Sequence, residues 1–184
     1  MSGQGPPFDR RRVLGLPAAA ASGAVLLSAR TAQAAAEPAR TLAFYSIHTT
    51  ESLTAVYRED GHYVEEGLAA IDRELRDYRT GEVRRIDPKL LDVLYELCRA
   101  LAHDGPIHVI SGYRSPATNA MLARQSTKVA KNSYHMRGRA IDIRLPGRRL
   151  EAVRDAAIRL ALGGVGYYPL SDFVHLDTGP PRRW

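Results

Sequence analysis

Three observations predict an α+β fold, a single compact domain with a small antiparallel sheet and helices packed on it. Two consecutive segments repeat apolar residues at helical spacing, short strand-like runs stand before and after them, and an Asp-Gly pair marks a tight hairpin turn. About 150 residues beyond the first 34 suit one domain with one core.

The elements follow in chain order. Residues 35–40 form a short linker, and Thr41 to His48 and Leu53 to Tyr57 are strands. The turn Asp60-Gly61 leads into His62-Tyr63-Val64. Val64, Leu68, Ile71, Leu75 and Tyr78 then fall on one helical face, as do Leu90, Leu94, Leu97 and Leu101 after a start at Asp87-Pro88. Cys98 sits beside that second stripe and reads as a small buried hydrophobe. Ile107 to Ile110 is a buried strand, Pro116 to Arg124 a short helix, and Ser126 to Asn132 a polar loop. Ala140 to Ile143 alternates as a strand. A helix spans Arg148 to Leu162 with Leu150, Val153, Ala157 and Leu160 inward, and Gly163-Gly164 ends it. Strands over Val165 to Tyr168 and Phe173 to Asp177 close the domain.

The N-terminus carries an address. Arg10-Arg11-Arg12 precedes an Ala-rich apolar stretch from Val13 to Leu27, the pattern of a twin-arginine signal, and Ala32-Gln33-Ala34 offers a signal peptidase site. The expected partners in export are the twin-arginine translocase and signal peptidase, and the expected compartment is the periplasm. At about 15 residues the stretch is short of the roughly 20 that span a bilayer, so no stable membrane span remains after processing. Residues 1–34 hold four arginines and one aspartate, so half of the formal charge of +6 belongs to this segment. What remains suits an anionic polymer, but there is no basic stripe with interleaved aromatics, and nucleic acid is not an expected partner.

His135, Asp142 and His175 form a candidate metal site. Two imidazoles and one carboxylate match the three protein ligands of catalytic zinc, whereas structural zinc is closed by four ligands, mostly thiolates. With Cys98 as the only cysteine, a thiolate cage is excluded. Gly138 permits a turn between the first two ligands, and the alternation lets Asp142 face a cleft while Ile141 and Ile143 pack behind it. By spacing alone, a loop histidine at 135 and a hydrogen-bonded strand histidine at 175 are an equal alternative, since six histidines offer such pairs by chance.

The pattern Ser133-x-His135-x-x-Gly138-x-Ala140-x-Asp142, with the later Phe173-Val174-His175, resembles zinc peptidases that cut D-amino-acid bonds in peptidoglycan. That group includes D-alanyl-D-alanine carboxypeptidases and dipeptidases and the L-alanyl-D-glutamate endolysins. A narrower likeness, from Leu42 to Trp184, is to the murein endopeptidase K type. It is carried by Ser111 to Pro116 with Asn119, Gly163 to Pro169, Asp177-Thr178-Gly179 and Arg183-Trp184. The resemblance implies a Zn2+ enzyme acting on peptidoglycan peptide stems as an endopeptidase. Alternatives are a D-alanyl-D-alanine carboxypeptidase or a wall-binding module without catalysis.

Within that reading, His135, Asp142 and His175 hold the metal and Arg114 binds the substrate carbonyl, a structural salt bridge being its alternative. Two carboxylates compete as general base. Asp172 precedes His175 by three, as in the carboxypeptidase branch, whereas Asp177 follows it by two, on the same strand face at roughly 7 Å, a geometry that slightly favours Asp177. Ser133 and Tyr134 can hydrogen-bond peptide backbone, and His48 and Glu51 lie in a similar segment without an assigned role.

Overall fold

The computed structural model describes residues 37–126 and 129–184, which belong to one compact unit. The expected signal segment 1–34, the start of the expected linker, and Thr127 and Lys128 of the polar loop lie outside the described residues.

Strand β1 (Arg40–Ser46) pairs antiparallel with β2 (Ser52–Glu59), and each alternates buried and open positions, so Leu42, Phe44, Ala55 and Tyr57 enter the core. Asp60 and Gly61 both take positive φ, 47° and 77°, as a two-residue hairpin turn needs, and deliver the short β3 (His62–Tyr63). Helix α1 (Glu65–Glu74) follows and buries Leu68 and Ile71. It stops short of Tyr78, the last residue of the helical pattern. The Leu75 carbonyl accepts the N–H of Tyr113 at 2.7 Å, and the Asp77 carboxylate takes the N–H groups of Arg79 and Ser115, so the backbone beyond Leu75 is bonded elsewhere.

Helix α2 (Pro88–Ala100) starts at Asp87, whose Oδ1 accepts the N–H of Lys89 at 3.0 Å, and Pro88 follows at the position that lacks a helical donor. Leu90, Leu94 and Leu97 are fully buried, each worth about 1.5–3 kcal/mol of apolar transfer. Strand β4 (Ile107–Ser111) leads to α3 (Pro116–Gln125), capped by the Ser115 hydroxyl. A 3-10 turn, Tyr134–Arg137, precedes β5 (Ala140–Arg144). Helix α4 (Leu150–Leu160) ends at Ala161 in the left-handed region, before the expected glycine stop. The glycines answer a different need: a Cβ at Gly163 would overlap the Asp177 carbonyl oxygen.

Strands β6 (Gly164–Tyr168), β7 (Phe173–Asp177) and β8 (Arg182–Arg183) complete one sheet in the order β3-β2-β1-β4-β5-β7-β6-β8. It is mostly antiparallel and larger than the sequence suggested. Two parallel pairs, β1 with β4 and β6 with β8, had no local signal, because parallel partners are set by crossovers and not by turns. Ile141, Ile143, Val174 and Leu176 point into the single hydrophobic core shared with the helices. Asp142, His175 and Asp177 alternate with them and therefore stand on the other face. No helix among the described residues is long and apolar enough to cross a membrane.

Candidate active site

The site grows from the pairing of β5 with β7. In that antiparallel register Asp142 stands opposite His175, and Asp142 Oδ1 lies 2.8 Å from His175 Nδ1. His135 arrives from the 3-10 turn. The Ser133 hydroxyl caps the turn by accepting the His135 N–H at 3.3 Å, and Gly138 ends it at φ 65°. A Cβ at Gly138 would overlap the Arg85 carbonyl, so the loop that carries His135 lies directly on the segment before α2. There the Asp87 N–H donates to the Gly138 carbonyl at 2.8 Å, while Asp87 Oδ2 accepts the Thr178 hydroxyl at 2.8 Å.

His135 Nδ1 donates to the Gly112 carbonyl at 2.7 Å, which turns Nε2 inward. That nitrogen is 3.2 Å from His175 Nδ1 and 3.3 Å from Asp142 Oδ1. Ligand atoms on a tetrahedral zinc with bonds of about 2.0–2.1 Å stand roughly 3.3 Å apart, so the three donors fit such an ion. All three residues are buried. Burial alone would raise the Asp142 pKa, but His135 and His175 outweigh it and hold the carboxyl far below its usual range. Burial lowers the His135 pKa. Burial also opposes charge on His175, yet its bonds to Asp142 and Asp177 prevail and raise its pKa to about 9 in the metal-free protein. A cation bound by these donors would displace that proton.

These residues form the floor of a cleft of about 460 Å³. Arg114 enters it from the corner after β4, its side chain 12% exposed, with Nη2 3.3 Å from Ser111 Oγ and 3.5 Å from Asp142 Oδ2. The corner is fixed from behind, since the buried Asp77 carboxylate accepts the Ser115 N–H at 2.8 Å. Ser133 and Tyr134 line the cleft, and Tyr134 lies among Arg137, Arg139 and Arg182.

The two carboxylates considered as base part company. Neither lines the cleft, and Asp177 is fully buried beneath His175. Asp172 lies at the turn between the cleft-lining Ser171 and Phe173, 61% exposed, with its carboxylate 2.5 Å from Arg144 Nη1. His48 stacks on Tyr78 and Glu51 pairs with Arg76, both away from the metal cleft.

Tyr168, Phe173, Arg182 and Trp184, to which the sequence assigns no role, also line the cleft. Trp184 Nε1 donates to the Tyr168 hydroxyl at 2.8 Å, and its indole lies 5.3 Å from the His175 ring. The turn Gly179-Pro180-Pro181 sends the chain back toward the site, but no periodicity says where it returns.

A family model described as peptidoglycan L,D-endopeptidase MepK matches residues 33–184. The chain belongs to the MepK peptidase family. It is 42% identical over 176 residues to the peptidoglycan L,D-endopeptidase MepK of Escherichia coli (strain K12), covering 96% of this chain and 97% of that protein. Identity to the protein of the same name from Shigella flexneri has the same extent. The probable peptidoglycan L,D-endopeptidase MepK of Haemophilus influenzae is 41% identical over 177 residues, 96% of this chain and 95% of that one. The MepK family thus supplies the class, a metallopeptidase, for a cleft whose floor holds two histidines and an aspartate.

Proposed function

We propose that this chain is a zinc-dependent endopeptidase that hydrolyses peptidoglycan cross-links at bonds joining an L centre to a D centre. The observation that carries the reading is the convergence of His135 Nε2, His175 Nδ1 and Asp142 Oδ1, 2.8 to 3.3 Å apart, at the floor of a cleft. Membership of the MepK family supports the substrate class.

A zinc ion held by these residues supplies Lewis acidity and brings the pKa of a water close to neutrality. The chain's own groups do the rest. Arg114 aims guanidinium donors at the scissile carbonyl oxygen, where negative charge grows during attack. Asp172 takes the proton of the attacking water and returns it to the leaving amine. It lies on an exposed turn between the cleft-lining Ser171 and Phe173, and its carboxylate meets one partner among the described residues, Arg144, and so has lone pairs to offer. The Ser133 hydroxyl accepts from His135 and keeps its own proton to donate, with Tyr134, to the peptide backbone.

The periplasm is the compartment in this reading. Residues 1–34 direct export through the twin-arginine translocase and are removed by signal peptidase. Lysine at positions 10, 11 and 12 would then retain the protein in the cytoplasm.

Incubation with cross-linked and uncross-linked muropeptides, with and without chelator, tests the activity by mass spectrometry of the products. Chelator-sensitive conversion of dimers to monomers is expected. Loss of one terminal alanine from monomers would instead mean a carboxypeptidase, and retention on the wall without products a binding module.

A further inference from the structure

Asp177 and Arg182 lie just behind the metal ligands, and their bonding gives them work distinct from proton transfer. The Asp177 carboxylate accepts five donors. Its Oδ1 takes the N–H of Gly179 at 2.8 Å, the N–H of Gly164 at 3.3 Å and Arg182 Nη1 at 3.0 Å. Its Oδ2 takes Arg182 Nη2 at 2.7 Å and His175 Nε2 at 3.1 Å. A carboxylate offers about four lone-pair sites, so none is left for a substrate proton. The backbone is shaped to this arrangement: a Cβ on Gly164 would lie 2.6 Å, and one on Gly179 2.8 Å, from an Asp177 carboxylate oxygen.

His175 is the ligand that needs such help. Its Nδ1 faces Asp142 and His135, and its Nε2 faces Asp177. A neutral imidazole carries one proton on either nitrogen, and only the form protonated at Nε2 leaves the Nδ1 lone pair for a metal. An acceptor fixed opposite Nε2 selects that form. The acceptor is itself fixed by the two-pronged guanidinium of Arg182, on β8, whose side chain is 40% exposed and reaches across from the cleft wall.

We propose that Asp177 and Arg182 are positioning residues of the metal centre: Arg182 clamps Asp177, and Asp177 holds His175 in the Nδ1-ligating tautomer. The inference rests on the zinc reading above and adds to it the part played by the last strand. Partners of this kind typically change metal affinity 10- to 100-fold.

The test is zinc affinity, measured by competition with a chromophoric chelator, for the unaltered protein, His135→Ala, Asp177→Asn, Arg182→Gln and Arg182→Lys. Melting curves of the metal-free forms and 15N NMR of the His175 ring accompany it. Asp177→Asn and Arg182→Gln are expected to bind zinc about 10- to 100-fold more weakly. Arg182→Lys should fall between, because an ammonium cannot bond both carboxylate oxygens as a planar fork does. In the zinc-loaded protein the His175 proton should reside on Nε2 and exchange faster in Arg182→Gln. If Asp177→Asn fails to fold, Arg182→Gln, altered at a partly exposed position, carries the test. Folded Arg182→Gln with unchanged zinc affinity, beside an unaltered protein whose zinc depends on His135, would overturn this inference alone. Zinc binding that ignores His135→Ala would overturn the metal reading itself.

Discussion

Asp142 and His175 face each other across two hydrogen-bonded strands, so backbone register sets their 2.8 Å approach. A slip of one residue would turn either ligand to the core side. His135→Ala, Asp142→Ala and His175→Ala should each lower bound zinc and abolish muropeptide cleavage while the fold persists. Elemental analysis beside circular dichroism checks this, and full zinc retention by folded His175→Ala would discard the ligand set.

Among the described residues Arg114 pairs with one carboxylate, Asp142, at 3.5 Å, and it opens on the cleft. Arg114→Lys keeps a cation there but loses the planar fork, and kcat should fall by about 10² to 10³ with zinc content and melting temperature held. Near-normal turnover with a lowered melting temperature would make the residue structural.

Asp172→Asn should keep zinc and stability and lose turnover by about 10² to 10⁴. Arg144→Gln, which frees the same carboxylate, should leave the protein active. Steady-state kinetics on a purified cross-linked dimer decides it: an Asp172→Asn variant at full rate would remove the residue from proton transfer.

Asp77 supports the Arg114 corner and gives a pH signature. Burial opposes its charge, but bonds from Thr118, Ser115 and Arg79 prevail and lower its pKa from 3.8 to about 2. The folded value lies below the unfolded one, so the stabilisation is complete above the unfolded pKa and disappears as pH falls toward 2. Roughly 2 kcal/mol is involved, or about 4–8 °C in melting temperature. Asp77→Asn should therefore melt lower at pH 7, and the gap should close between about pH 4 and pH 2. A gap independent of pH would assign the loss to packing.

Where local rules apply, the sequence was readable. The Asp60-Gly61 turn, the Asp87 cap and the alternation of β5 each depend on neighbouring residues, and each appears in the structure. The three ligand candidates also converge, because strand alternation decides which face Asp142 and His175 occupy. Alternation could not tell what lies beneath that face. It put Asp177 beside His175, as found, but Arg182 and the Gly164 and Gly179 amides, which fill its lone pairs, come from other strands and turns. Strand geometry slightly favours Asp177 over Asp172 for the same reason, and the Arg144 partner of Asp172, 28 residues away, is equally out of its reach. The end of α1 was misjudged because Leu75 gives its carbonyl to Tyr113 in another part of the chain.

Asp87 joins three parts of the molecule: it caps α2, anchors the Gly138 carbonyl and receives the Thr178 hydroxyl after β7. A fluctuation that lifts the His135 loop must therefore break a bond to the residue that caps a helix whose leucines fill the core. Such an opening is expected to cost more than the inexpensive fraying of a surface loop. The loop that carries His135 is thus tied to the helical layer, and the placement of one candidate ligand depends on a helix whose leucines lie on the far side of the sheet.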